Sequence, residues 1–201
     1  MAASSCERGV SHRGLVLRAL LSVWALSLST CSVGHGSGTV SGTISIGGCR
    51  REAAYELRPS SFFAQAVENL LKIRIQRGSD MEVRSDGLAV LVEDATTVKR
   101  SYLGVPLSVG PETTPTIDVS LYLNESCPAE RDKTPVVLSA VRGTVTFHAI
   151  YAPRVDKDEV RIAAELTQVR FEDPRTTERW AELSGELDFL YVRGSPAQVF
   201  P

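Results

Sequence analysis

The sequence predicts an all-β fold: a single β-sandwich, jelly-roll-like or Greek-key, or else a partly closed barrel, with about eight strands and at most two short helices. Three observations carry this. Apolar and polar residues alternate with period two in one run after another. These runs are rich in Val, Ile, Thr and aromatic residues, and clusters of Gly, Pro, Asp and Asn separate them. Segments of helical periodicity are few and short.

In chain order, the first strand runs through Thr39 to Ile46, with Val40, Gly42, Ile44 and Ile46 on one side and Thr39, Ser41, Thr43 and Ser45 on the other. Ser61 to Leu71 carries apolar residues at 62, 63, 66, 67, 70 and 71 behind a capping Ser60 or Ser61, which predicts one or two helical turns. Leu71, Ile73 and Ile75 then alternate with Lys72, Arg74 and Gln76. A turn at Ser85-Asp86-Gly87 leads into the apolar run Leu88 to Val92. Asp94 to Tyr102 is the weaker helix candidate, capped by Asp94. Ile117, Val119, Leu121 and Leu123 share a face of the next strand. Val136 to Val141 and Thr144 to Tyr151 flank Arg142-Gly143, as a hairpin or as one long bent strand. Val160 to Phe171 and Leu183 to Tyr191 complete the set. The phrase Ser41-Gly42-Thr43-Ile44 is echoed by Ser184-Gly185-Glu186-Leu187; both are read as strands using a small residue where the sheet crowds, and as neighbours in space.

The chain has 201 residues, 43% hydrophobic and 23% charged, as expected of an ordinary globular protein and not of a disordered, collagenous or multispan one. Its formal charge is −2. Basic residues are scattered singly, so the footprint of a nucleic-acid binder is missing and no nucleic-acid partner is expected.

The first residues form a leader. Arg8, Arg13 and Arg18 precede the apolar run Ala19 to Leu28, which as a helix would extend only about 15 Å, half of a bilayer's hydrocarbon thickness. Leu28-Ser29-Thr30-Cys31 follows directly. This resembles the lipobox of bacterial lipoproteins, in which an aliphatic residue stands three positions before a Cys that becomes the acylated first residue after cleavage. Leu28, Ser29 and Cys31 match; Thr30 stands where the family carries Gly, Ala or Ser. The resemblance implies a signal peptide over residues 1–30, lipidation of Cys31 and anchoring at the cell envelope. Ser32 after the Cys points to the outer membrane. The alternative is an ordinary cleaved signal peptide and a soluble periplasmic or secreted protein. Residues 31–38, rich in Gly and Ser, are read as a flexible tether, and 39–201 as the folded domain. The tail Val192 to Pro201 and the strand before it also resemble predicted envelope lipoproteins of Gram-negative bacteria that carry no assigned activity.

Of the four cysteines, Cys6 leaves with the leader and Cys31 carries lipid, which leaves Cys49 and Cys127 to form a disulfide in an oxidising compartment. No catalytic, cofactor-binding or metal site is expected. His148 is alone in the folded part, without a nucleophile elbow to serve. The acidic groups Glu93-Asp94, Asp156-Lys157-Asp158-Glu159 and Glu172-Asp173 read as solvated turns before they read as calcium ligands. Glu182, Glu186 and Asp188 alternate along the last strand at separations of about 6.6 Å, compatible with a pair of catalytic carboxylates but also with a charged edge. Gly34, Gly36 and Gly38 precede a strand, which is the wrong place for a phosphate loop. Tyr102, Tyr122 and Trp180 are the aromatics that could stack on a sugar. Asn124-Glu125-Ser126 matches a glycosylation sequon by chance. The expected function is that of a non-enzymatic binding or structural domain tethered to a membrane, its partner an envelope protein or a glycan. A carbohydrate-binding module and a carboxylate-dependent hydrolase are the alternatives.

Overall fold

The computed structural model describes residues 36–46, 50–78, 85–110, 112–127, 136–157 and 160–191. The leader, Cys31 and Cys49 lie outside them. The elements are β1 (Gly36–Ile46), β2 (Arg50–Leu57), β3 (Ser61–Val67), β4 (Leu70–Gln76), β5 (Gly87–Val92), α1 (Ala95–Ser101), β6 (Pro106–Ser108), β7 (Ile117–Tyr122), β8 (Val137–Ala149), β9 (Val160–Asp173) and β10 (Thr176–Tyr191).

All ten strands belong to one antiparallel sheet, ordered β2-β1-β10-β9-β8-β7-β5-β4-β3, with β6 added against β8. The sheet curls into a half-barrel. The all-β class therefore holds, and the partly closed barrel is the architecture that the ladders draw; they do not divide the described strands into the two sheets of a sandwich. Direction alternates at every step, so the edge strands β2 and β3, first and ninth in the order, point the same way. They are also consecutive in the chain, joined only by Arg58, Pro59 and Ser60. Parallel neighbours need a crossover of about a dozen residues, more than this link provides. No ladder closes the seam between them among the described residues.

The concave face is the core. One row reads Phe62, Ile75, Leu88, Leu121 and Leu138 across β3, β4, β5, β7 and β8, and every member is buried. Each such side chain contributes about 1.5–3 kcal/mol on leaving water. Phe62 reaches the ring of Phe189 on β10 at 5.4 Å, so opposite walls of the curl touch. Helix α1 lies across one end. Its first residue, Ala95, donates its N–H to the Asn69 carbonyl (3.0 Å), and Lys99 Nζ donates to the Ile150 carbonyl (3.2 Å) and pairs with Asp156 at 2.6 Å.

Several expectations need correction. Ser61 to Leu71 is not helical but the hairpin β3–β4, turning at Glu68 and Asn69, with Glu68 in the left-handed region (φ 55°). Its apolar spacing fits a helix equally well, but pairing with β4 buries Phe62 in the core and Phe63 on the convex side, so tertiary pairing overrides the local pattern. Asp94, by contrast, does cap a helix: its carboxylate accepts the Thr97 N–H at 2.9 Å. Of the two alternatives for Arg142-Gly143, the long strand is the one observed: β8 runs through it without a turn, with Gly143 at φ +112°. The expected tether ends earlier than position 38, because Gly36 to Gly38 already pair with Phe189 to Leu187. A Cβ on Gly36 would collide with that of Phe189, so these glycines serve close strand approach. The echoed Ser-Gly phrases are indeed adjacent. Ser41 pairs with Ser184, and side chains at Gly42 or Gly185 would strike the carbonyl oxygens of Glu182 and Thr39.

Candidate functional site

The site lies on the convex face over β5, β7 and β8. At the end of the half-barrel away from α1, the buried carboxylate of Asp86 accepts the N–H groups of Glu125 (2.9 Å) and Ser126 (3.0 Å), the Ser126 hydroxyl, and the Tyr55 hydroxyl at 3.3 Å. Burial, with the Asp86 charge next, pushes the Tyr55 phenol far above its ordinary range and keeps it a donor. These bonds tie the start of β5 to the chain leaving β7. They thereby support the register in which Ala89 faces Ser120, which in turn faces Ser139 on β8.

Ala89, Ser120 and Ser139 are small residues in an outward row that reads Phe63, Arg74, Ala89, Ser120, Ser139, Glu172, Trp180 from β3 to β10. Where the row is small, the surface sinks into a cleft of about 460 Å³, with Tyr122 on one side and Lys72, Leu91 and Asp118 on the other. Small-molecule sites occupy roughly 300–1,000 Å³. Strand spacing makes the floor about 10 Å wide, and Asp118 and Tyr122 lie about 13 Å apart along β7. The Arg74 guanidinium lies 5.5 Å from the centre of the Tyr122 ring, which helps to hold that wall in place. Burial first, and the charge of Arg74 second, lower the Lys72 ammonium below its ordinary value. The lining offers an ammonium, a carboxylate, two alcohols and a phenol beside the apolar Ala89, Leu91, Val119 and Ala140. This set of donors and acceptors suits a polar ligand of small size.

Of the residues singled out in the sequence, Tyr122 enters this cleft. Trp180 stands in the same convex row, two strands beyond Ser139, with Arg170 stacked 3.8 Å from its ring centre. Tyr102 is elsewhere, at the C-terminal end of α1 and packed against the core. His148 is exposed, with Nε2 3.8 Å from Glu165. It lines a second hollow of about 240 Å³ with Ser37, Arg161, Glu165, Glu186 and Asp188.

The carboxylates of β10 are divided among different partners. Glu182 faces Arg142 (3.5 Å) and Arg170 (4.0 Å). Asp188 is gripped by both Arg161 Nε and a terminal nitrogen, and hydrogen bonding from that guanidinium holds its carboxyl below the usual range. Glu186 sits directly across from Glu165 on β9. Of the acidic groups, Asp158 and Glu159 lie outside the described residues, and Asp94, Asp156 and Asp173 are engaged. Asp94 caps α1, its carboxyl held low chiefly by the Thr97 N–H. Asp156 holds Lys99 and the Ala152 N–H. Asp173, its side chain wholly buried, meets Arg175 at 2.9 Å and Arg179 at 3.4 Å, and the Arg175 bond lowers its carboxyl. No group of three metal-ligating residues occurs among the described residues.

Cys127 is buried and disulfide-bonded. Asn124 is also buried, its amide donating to the Ser85 carbonyl at 3.3 Å, so the sequon sits where no glycan would fit. Lys72, Ala89, Leu91, Asp118, Ser120 and Ser139 were not predicted as site residues. The one local sign was small or polar residues at outward strand positions. No family model, curated protein or solved structure matches the chain.

Proposed function

We propose that the chain is an exported lipoprotein anchored through Cys31 at the bacterial outer membrane, and that its half-barrel is a non-enzymatic domain binding a small polar ligand in the convex cleft. The observation that carries the binding reading is the sunken row Ala89, Ser120, Ser139, walled by Tyr122 on one side and by Lys72 and Asp118 on the other. A cleft with these groups needs no chemistry of its own to recognise a ligand. Pairing of Cys127 with Cys49 belongs to the same reading, since both remain after processing in an oxidising space.

Among ligands, a sugar is favoured by the tyrosine ring set beside alcohols and a carboxylate, which offers stacking together with alternating donors and acceptors. Pull-down with peptidoglycan and a glycan array test this. Retention by the parent and loss of it in Tyr122→Ala is the expected result; equal silence from both removes the sugar. The hydrolase alternative has less to stand on, because arginines hold Asp188 and Glu182. It would require a turnover that Glu186→Gln and Asp188→Asn abolish.

A further inference from the structure

We infer that the end of the half-barrel crossed by α1 is a membrane-facing surface, with Leu103, Val105 and Val155 entering the interface of an anionic bilayer. This rests on the anchoring of Cys31 proposed above and adds the orientation of the domain. The topology brings to one end the start of β1, the β3–β4 turn, α1 and the segment after it, the β8–β9 connection and the end of β10. Val67, Leu103, Val105, Val155 and Leu190 all belong to this end, and each is between 41% and 56% exposed. Single exposed aliphatics are ordinary, but a concentration of them at one pole marks an interaction surface.

Hydrogen bonds put two of these segments against the same support. The Gly104 N–H donates to the Phe147 carbonyl at 2.8 Å, next to Leu103 and Val105, while Lys99 of α1 bonds both Ile150 and Asp156, next to Val155. Arg100, Arg154 and Lys157 are exposed beside them, whereas the acid between them, Asp156, is neutralised by Lys99. The exposed acids Glu68 and Glu93 belong to the same end, at the β3–β4 turn and just before α1, and are separated in sequence from Leu103, Val105 and Val155. Aliphatic side chains flanked by cations suit the boundary between lipid headgroups and acyl chains, each cation adding about 1 kcal/mol near an anionic surface. The occupant is named by chain length: four residues separate Cys31 from Gly36, the first residue of β1 at this end, and the five extended steps between them span at most about 18 Å. A lipid on Cys31 would therefore hold this pole, and not the opposite one, against the bilayer.

The test uses the processed protein reconstituted in vesicles of phosphatidylethanolamine and phosphatidylglycerol whose acyl chains carry bromine. Leu103→Trp and Val155→Trp are compared with Val141→Trp, an exposed position in the middle of β8, after subtraction of the parent's emission. Expected is quenching at least about twofold stronger at 103 and 155 than at 141, because interfacial side chains sit roughly 5–10 Å into the boundary region. If the protein floats with the vesicles and all three positions are quenched alike, the anchor stands and the orientation is wrong. If the protein does not float, the anchor fails and the orientation with it. Quenching absent from the Leu103→Trp variant while its indole is shielded in a protein dimer assigns the surface to a second copy and overturns the proposal.

Discussion

Asp86 is the residue on which most polar order at one end of the molecule converges. Its carboxylate is buried and accepts from two backbone N–H groups and two hydroxyls. Removing it leaves those donors unsatisfied in the interior, so Asp86→Ala should cost about 3 kcal/mol or more in urea unfolding, and Ser126→Ala about 1 kcal/mol. An Asp86→Ala protein as stable as the parent would refute this role. Asp173 gives a pH dependence whose sign can be worked out. Hydrogen bonding from Arg175 lowers its folded-state pKa below the unfolded one. Its contribution is thus fully present above the unfolded value of about 3.9 and is lost as pH falls through the folded value. Urea midpoints should fall on acidification below about pH 4, and Asp173→Asn should flatten that fall while lowering stability at neutral pH. A variant with the parent's full acid dependence would contradict it.

Among the elements, the two helix candidates show what a sequence can and cannot carry. Asp94 and Thr97 form a cap through neighbours three apart, a relation readable locally, and the short helix they start is present. The spacing of Phe62, Phe63, Ala66, Val67, Leu70 and Leu71 is equally local but ambiguous, and what decides it is the partner strand and the turn at Glu68-Asn69. The paired glycine phrases were legible because close strand approach leaves a compositional mark at both strands. The cleft was not legible. Ala89, Ser120 and Ser139 come from three strands and become neighbours only through register, which is set partly by the buried bonds of Asp86. The disulfide at Cys127 belongs to this scale too. Bonded to Cys49, it would join the β1–β2 connection to the chain leaving β7, closing a loop that stabilises by roughly 4 kcal/mol. Reduction should raise the mass of the processed protein by two hydrogens and lower its unfolding midpoint; an unchanged mass removes the bond.

At the scale of the whole molecule, the nine alternating strands curl into a half-barrel whose edge strands, linked by three residues, share no ladder among the described residues. Its concave side is filled by core and its convex side carries the cleft. The end crossed by α1 is also the end at which the chain arrives from Cys31. On the proposed reading, tethering and orientation would share this end, and ligand binding would fall on the convex face. The proposed anchoring rests on Cys31. The measurement that bears on it most directly is labelling of expressing cells with a clickable fatty acid, comparing the parent with Cys31→Ala. Label on the parent that disappears from the variant is the predicted result. Equal label on both, or on neither, would contradict the anchor and leave a domain without a membrane to face.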